Sequence, residues 1–315
     1  MIELIDRLDA FAVLAHEPMA MPGDALSKVL ALARNEAVIE AIEAKSPEAR
    51  ADLAKQAQRA LRGDRLANGN AGAVAVLPVL GVLSRRLPLW IWPLGTNTQA
   101  ITAALRDAVA DPSVRAIVLE VDSSGGSADA THALGDEIYS ARGRKPVYAV
   151  ANAVAAGGAY WLASQADRLF VTPSGEVGGI GVTWAHVDIS KAQAQEGIRT
   201  TLIYAGPHKV DGHPYGPPTE SARAYMRRRV DEQYRAFVAA VARGRSVPSQ
   251  AVISHMGGGR VLGADRAYAA GMVDGVATLN SVVRRAASAG RNDGKRAQVH
   301  RIERGLLRDP SLTPE

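Results

Sequence analysis

From residue 73 onward, short apolar runs alternate with amphipathic stretches, and this alternation restricts the chain more than any other feature. Residues 74–83, 116–121, 147–151, 169–171 and 200–204 read as strands, rich in Val, Ile, Leu and Tyr. Residues 98–110, 128–142, 156–165, 189–196 and 221–245 carry apolar residues at helical spacing. Strands that alternate with helices predict a mostly parallel sheet joined by right-handed crossovers, an α/β fold. Residues before 64 read differently. Leu26, Val29, Leu30, Ala33, Val38, Ile39 and Ile42 recur near a 3.6-residue period over 25–45. Ser46-Pro47 then restarts a helix that runs to about residue 62. The stretch 63–72, with its glycines and asparagines, reads as a linker, and 289–315 is polar and aperiodic. The expected organisation is a helical N-terminal segment 1–64, one compact domain 73–288 and a loose tail 289–315.

Composition removes several function classes. With 315 residues, 47% of them hydrophobic, the chain can bury a substantial core. Its net charge of +5 is spread along the sequence rather than striped, so nucleic acid is not an expected partner. The absence of cysteine excludes thiolate catalysis, disulfides and cysteine-ligated zinc. The seven histidines lack metal-ligand spacing, and no metal or cofactor is expected. No signal-peptide pattern opens the sequence. The apolar stretch 73–95 is interrupted by Pro78, Arg85, Arg86, Pro88 and Pro93, so no membrane partner is expected and a soluble protein is the reading.

In open parallel sheets, sites form at the carboxyl ends of strands. Three turns are candidates. The first, Asp122-Ser123-Ser124-Gly125-Gly126-Ser127, can be a tight turn with a Ser cap or a place where backbone N–H groups hold an anion. The second holds "AAGGAYW", residues 155–161, small residues entering a helix with no reactive side chain. The third, 205–214, carries Lys209. A lone lysine there is a solvated charge unless a desolvated pocket lowers its pKa and makes it a base. Gly178-Gly179-Ile180-Gly181 and Gly257-Gly258-Gly259 lack the strand-to-helix context of a dinucleotide loop. The long helix 221–245 reads first as core packing and second as a subunit interface, and a homo-oligomer is expected.

Taken in order, these motifs resemble the S49 serine peptidases, the signal-peptide-peptidase A relatives, and in particular their phage head maturation (prohead protease) branch. The resemblance rests on the Asp122–Gly126 turn, the Ala159-Tyr160-Trp161-Leu162-Ala163-Ser164 helix, Val177-Gly178-Gly179-Ile180-Gly181-Val182, and Ala205-Gly206 with Lys209-Val210-Asp211-Gly212 and Pro214-Tyr215. It implies a ClpP/crotonase-like fold of stacked β-β-α units and a Ser–Lys dyad. In such a dyad the lysine amine takes the serine proton and the alkoxide attacks the peptide carbonyl. Lys209 falls on the base, Gly125 and Gly126 on the oxyanion turn, and Gly158 on the second oxyanion amide. The nucleophile's position falls on Gly157. Two further departures are Gly179, where relatives carry a Ser that positions the lysine, and Ser124, where the turn usually has Pro.

The resemblance therefore implies an endopeptidase of phage or prophage capsid maturation, acting on extended segments of scaffold and capsid proteins in the cytoplasm of a bacterial host. As written, with Gly157 at the nucleophile position, the chain should be inactive. The alternatives are a non-catalytic assembly or peptide-binding protein on the same fold, and a crotonase-type acyl-CoA enzyme. The Lys209 loop and the lack of an obvious catalytic carboxylate in the turns disfavour the last.

Overall fold

The computed structural model describes residues 18–22, 25, 64–67, 73–85 and 95–289. The expected helices over 25–45 and 46–62 and the tail beyond 289 lie outside the described residues. The elements run β1 (Met19–Ala20), β2 (Asp64–Ala67), β3 (Ala73–Ser84), β4 (Gly95–Asn97), α1 (Thr98–Ala110), β5 (Val114–Ser127), α2 (Ala128–Ala141), β6 (Val147–Ala156), α3 (Gly158–Ser164), β7 (Arg168–Val171), β8 (Glu176–Gly178), α4 (Ser190–Gln195), α5 (Glu220–Arg245), α6 (Ser249–His255), β9 (Val261–Gly263), α7 (Ala264–Ala269), β10 (Gly275–Val276) and α8 (Leu279–Ala289). The main sheet has the order β10-β7-β6-β5-β3-β2. All of its pairings are parallel except β2 on β3. This is the mostly parallel α/β architecture that the alternation predicted.

Strand periodicity explains how the sheet is covered. Along β5, Ile117, Leu119 and Val121 join a large cluster with Leu105, Leu134, Trp161, Leu162, Phe237 and Val241 of the helices. The intervening Ala116 and Val118 face the other way, with Val74, Val150 and Phe170, against Val282, Val283 and Ala286 of α8. A parallel sheet is stable only when both faces are buried, and α8 supplies the second cover. The helices start where caps allow. Asn97 accepts the N–H groups of Gln99 and Ala100 at α1, Ser127 that of Ala130 at α2, and Thr219 that of Ala222 at α5. A buried pair, Arg245 Nη1 to Asp274 Oδ2 at 2.8 Å, ties the end of α5 to the start of β10.

Four expectations need correction. Met19–Ala20, read as part of a helical appendage, is a strand paired antiparallel with β5. Asp64–Ala67 overlaps the supposed linker but pairs with β3. Residues 122–127 are the last part of β5, which runs straight into α2. Residues 200–204, with strand-like composition, form no strand, and Ile203 is 97% exposed. Propensity for a strand is realised only where an edge accepts it and a face is buried.

Candidate active site

The carboxyl ends of β5 and β6 meet at a cluster of glycines. The register of β5 on β6 shifts after Val121, and Ser123 then pairs with Ala155. Ser123, 3% exposed, donates its hydroxyl to Gly81 O at 2.5 Å and accepts the N–H of Gly125 at 3.1 Å. This side chain pins the glycine turn to β3. It also occupies the Gly125 amide. Gly125 sits at φ 102°, and a Cβ built there would lie 2.7 Å from the nitrogen of Gly158. The end of β5 and the junction after β6 are therefore in contact.

Gly157 joins β6 to α3 with φ 54° and ψ −126°. Its N–H donates to Gly178 O at 2.8 Å, and its carbonyl accepts from Trp161 N–H at 3.0 Å. A positive φ at a sharp strand-to-helix junction thrusts whatever side chain it carries out of the sheet, the geometry on which hydrolases mount an activated serine. Here there is no side chain. Gly179, at φ 63°, packs close behind, its built Cβ lying 3.0 Å from Gly157 N. Gly125, Gly126, Gly157, Gly158 and Gly179 are all buried.

Lys209 lies outside this cluster. It is exposed, in the run of turns 206–212, and its N–H donates to Gly206 O at 3.2 Å. None of the nearest atoms at Gly125, Gly157, Gly158 or Gly179 belongs to it. A cavity of about 520 Å³ beside it is lined by Thr200, Leu202, Tyr204, His208, His213 and Tyr215 among others, none of them from the glycine cluster. His208 pairs with Asp211 at 3.0 Å. Among the described residues no group of acidic or histidine side chains could hold a metal ion, and no helix is long and apolar enough to cross a membrane.

Two contributors went unnoticed in the sequence. Ser123 carries no signal beyond its place before the glycine pair. The other is the segment Pro18-Met19-Ala20-Met21-Pro22, which lies across the glycines. Ala20 O would sit 2.1 Å from a Cβ at Gly157 and 2.1 Å from one at Gly125. Three apolar residues bracketed by prolines could have signalled an extended piece, since proline disfavours helix in the residue before it and inside a helix.

The strand ends of the sheet thus bring a glycine pair and a positive-φ strand-to-helix junction together. Residues 140–292 match the model of Peptidase family S49. It is 40% identical over 187 residues to Head-tail preconnector protein GP5 of Enterobacteria phage P21, covering 59% of this chain and 36% of that protein. It is 36% identical over 196 residues to Capsid assembly protease C of Escherichia phage lambda, covering 62% and 44%. A putative signal peptide peptidase SppA of Enterococcus faecium is 27% identical over 179 residues, covering 56% and 52%. The chain thus spans less than half the length of the two phage relatives.

Proposed function

We propose that the chain is an S49-type serine endopeptidase scaffold of phage or prophage capsid maturation, inactive as written because Gly157 stands at the nucleophile position. The similarity to the phage P21 and lambda proteins supports the biological setting. The observation that carries the chemical reading is the backbone of Gly157, turned to φ 54° beside the Gly125–Gly126 turn. A serine there would project its hydroxyl into the cleft. The amides of Gly126 and Gly158 would hold the oxyanion, and Lys209 would take the serine proton once its loop is brought to the cleft. The partners are extended segments of scaffold and capsid proteins, recognised by strand addition. A non-catalytic assembly role on the same scaffold is the second reading, favoured by the segment that covers Gly157.

The test is a peptidase assay on the chain, on Gly157→Ser and on Gly157→Ser with Lys209→Ala. The unmodified chain should show no cleavage above background. Loss of the nucleophile costs on the order of 10⁶-fold in a comparable hydrolase, so a restored serine has a wide range in which to register. Cleavage by Gly157→Ser that disappears with Lys209→Ala supports the dyad. Cleavage by the unmodified chain that survives Lys209→Ala refutes it.

A further inference from the structure

We propose that residues 18–22 are a built-in occupant of the peptide groove, seated as a substrate strand would be, and that position 157 is glycine to admit it. The proposal rests on the S49 reading for the word substrate, but its structural content stands on the segment alone.

Three observations carry it. The segment is paired on both sides. Met19 N–H donates to Thr183 O at 2.8 Å and Thr183 N–H to Met19 O at 2.9 Å. On the other edge Met19 and Ala20 pair antiparallel with Ser127 and Gly126, and Ala128 N–H donates to Pro18 O at 3.1 Å. Hydrogen-bonded pairs alternate in an antiparallel ladder, so after Pro18–Ala128 the next such pair is Ala20–Gly126. That aims the Ala20 carbonyl at the amide named above as an oxyanion donor. Secondly, the segment is covered to a degree unusual for a surface strand. Met19, Ala20 and Met21 are 2%, 0% and 2% exposed, the two methionines packing with Val82 and Ala185 and Ala20 facing the main core. Side chains alternate across the strand, as in a bound extended peptide.

The third observation is steric. A Cβ at residue 157 would lie 2.1 Å from Ala20 O, 2.7 Å from Ala20 C and 2.8 Å from Met21 Cα. All three are backbone atoms, so no side-chain rotation relieves the overlap. A serine at 157 and the seated segment exclude each other. The glycine that removes the nucleophile is also what lets Ala20 place its carbonyl over the cleft. The groove so defined takes an extended peptide with a small residue at the Ala20 position, an apolar residue on each side, and no donor needed at the two proline positions.

The experiment uses the full chain. Amide exchange of Met19 and Ala20 is followed by NMR in the unmodified protein, where the seated segment should slow them at least about 100-fold relative to a free loop. Ala20→Tyr, too large for its closed position, should release the segment while cooperative unfolding is retained. A fluorescent synthetic peptide of residues 16–24 should then bind that variant at least about tenfold more tightly than the unmodified chain, whose groove is filled. Free-loop exchange in the unmodified chain overturns the proposal, whether or not Ala20→Tyr folds. So does equal binding of the peptide to the two proteins, or protection at Met19 with no binding to folded Ala20→Tyr.

Cleavage is read separately. If exchange and binding come out as expected but Gly157→Ser with Ala20→Tyr stays inert, the occupant stands and the peptidase reading fails. If that double variant cleaves while Met19 of the unmodified chain is unprotected, the peptidase reading stands and the occupant fails.

Discussion

Around Gly157 the nearest atoms are backbone from a buried strand, and those around Gly125 are backbone too; around Lys209 the chain passes through turns that are exposed or half-buried. The first region is over-determined. β5 is held by β3, β6 and β1, and Ser123 adds a cross-link from the turn to Gly81. The second is held mainly by contacts local to it, such as Ile189 N–H to Pro214 O and His186 to His213 O. Under the proposed Ser–Lys reading, the oxyanion side would come preformed with the sheet, and the base side would be a loop that has to be brought to its place. A charge-stabilising pocket works because it needs no reorganisation at the moment of reaction. A lysine base gains its lowered pKa only on desolvation, which an exposed loop does not provide.

The contrast can be broken hardest at Gly126. A Cβ there would lie 2.0 Å from Leu83 O and 2.6 Å from Leu83 N, atoms of the neighbouring strand. Gly126→Ala should cost more than about 4 kcal/mol, enough to unfold a marginal domain. A urea titration followed by circular dichroism reads it. Folding with unchanged stability would show that the cleft yields far more than its packing implies.

Asp274 tests the same body at a distance from the cleft. It accepts from both Arg245 and the Leu169 N–H, and Arg245 and Asp274 are 5% and 8% exposed in their side chains. Asp274→Ala leaves a buried guanidinium without its counter-charge and should cost about 3–5 kcal/mol. Thermal unfolding checks this, with Arg245→Met plus Asp274→Leu as the companion. The double variant should recover much of the loss, since apolar replacement of a buried pair is often neutral or better.

The two regions also differed in how far the sequence disclosed them. The sheet was legible because β3, β5, β6 and β7 are apolar runs long enough to show a period, and α1 runs over 98–110 as its pattern indicates. The glycines of the site stood out through the ordered motifs that resemble the S49 peptidases, since by themselves they also fit a tight strand-to-helix turn with a Ser cap. What stayed hidden depends on partners distant in sequence. Met19–Ala20 is too short to carry a period, and its pairing is dictated by an edge more than 100 residues away. Asp64–Ala67 looks polar because it lies at the end of the sheet order. Thr200-Thr201-Leu202-Ile203-Tyr204 misled in the other direction, since β-branched and aromatic composition promises a strand only where an edge is available.

A smaller effect belongs to the junction of loop and body. Thr219 Oγ1 accepts the N–H of Ala222 at 3.1 Å where the loop enters α5. Thr219→Ala should cost about 1 kcal/mol. Asn97→Ala, which removes the corresponding cap of α1 inside the body, should cost a similar amount. Exchange of the amides it loosens should separate the two. At Thr219 the faster exchange should stay within the first turn of α5, while at Asn97 it should spread to β4 and its partner β3. Identical spreading would mean that the loop is as firmly integrated as the cleft.

The smallest effect is expected at Ile203, and it is the most informative about the loop. An isoleucine that is 97% exposed buries no apolar surface in the chain taken alone, so truncating it removes no packing and opens no cavity. Ile203→Ala should therefore change the unfolding free energy by less than about 0.5 kcal/mol. Tyr204, 55% exposed, and Ile198, 40% exposed, are further exposed apolar side chains of the same stretch of sequence. If dilute protein loses nothing while concentrated protein loses stability on Ile203→Ala, something covers the loop at high concentration. The linkage between folding and association would then be visible as a concentration-dependent midpoint. A loss of 2 kcal/mol or more at every concentration would instead place Ile203 in a packed setting within one chain, and the sharp division between a built cleft and an unbuilt loop would no longer hold.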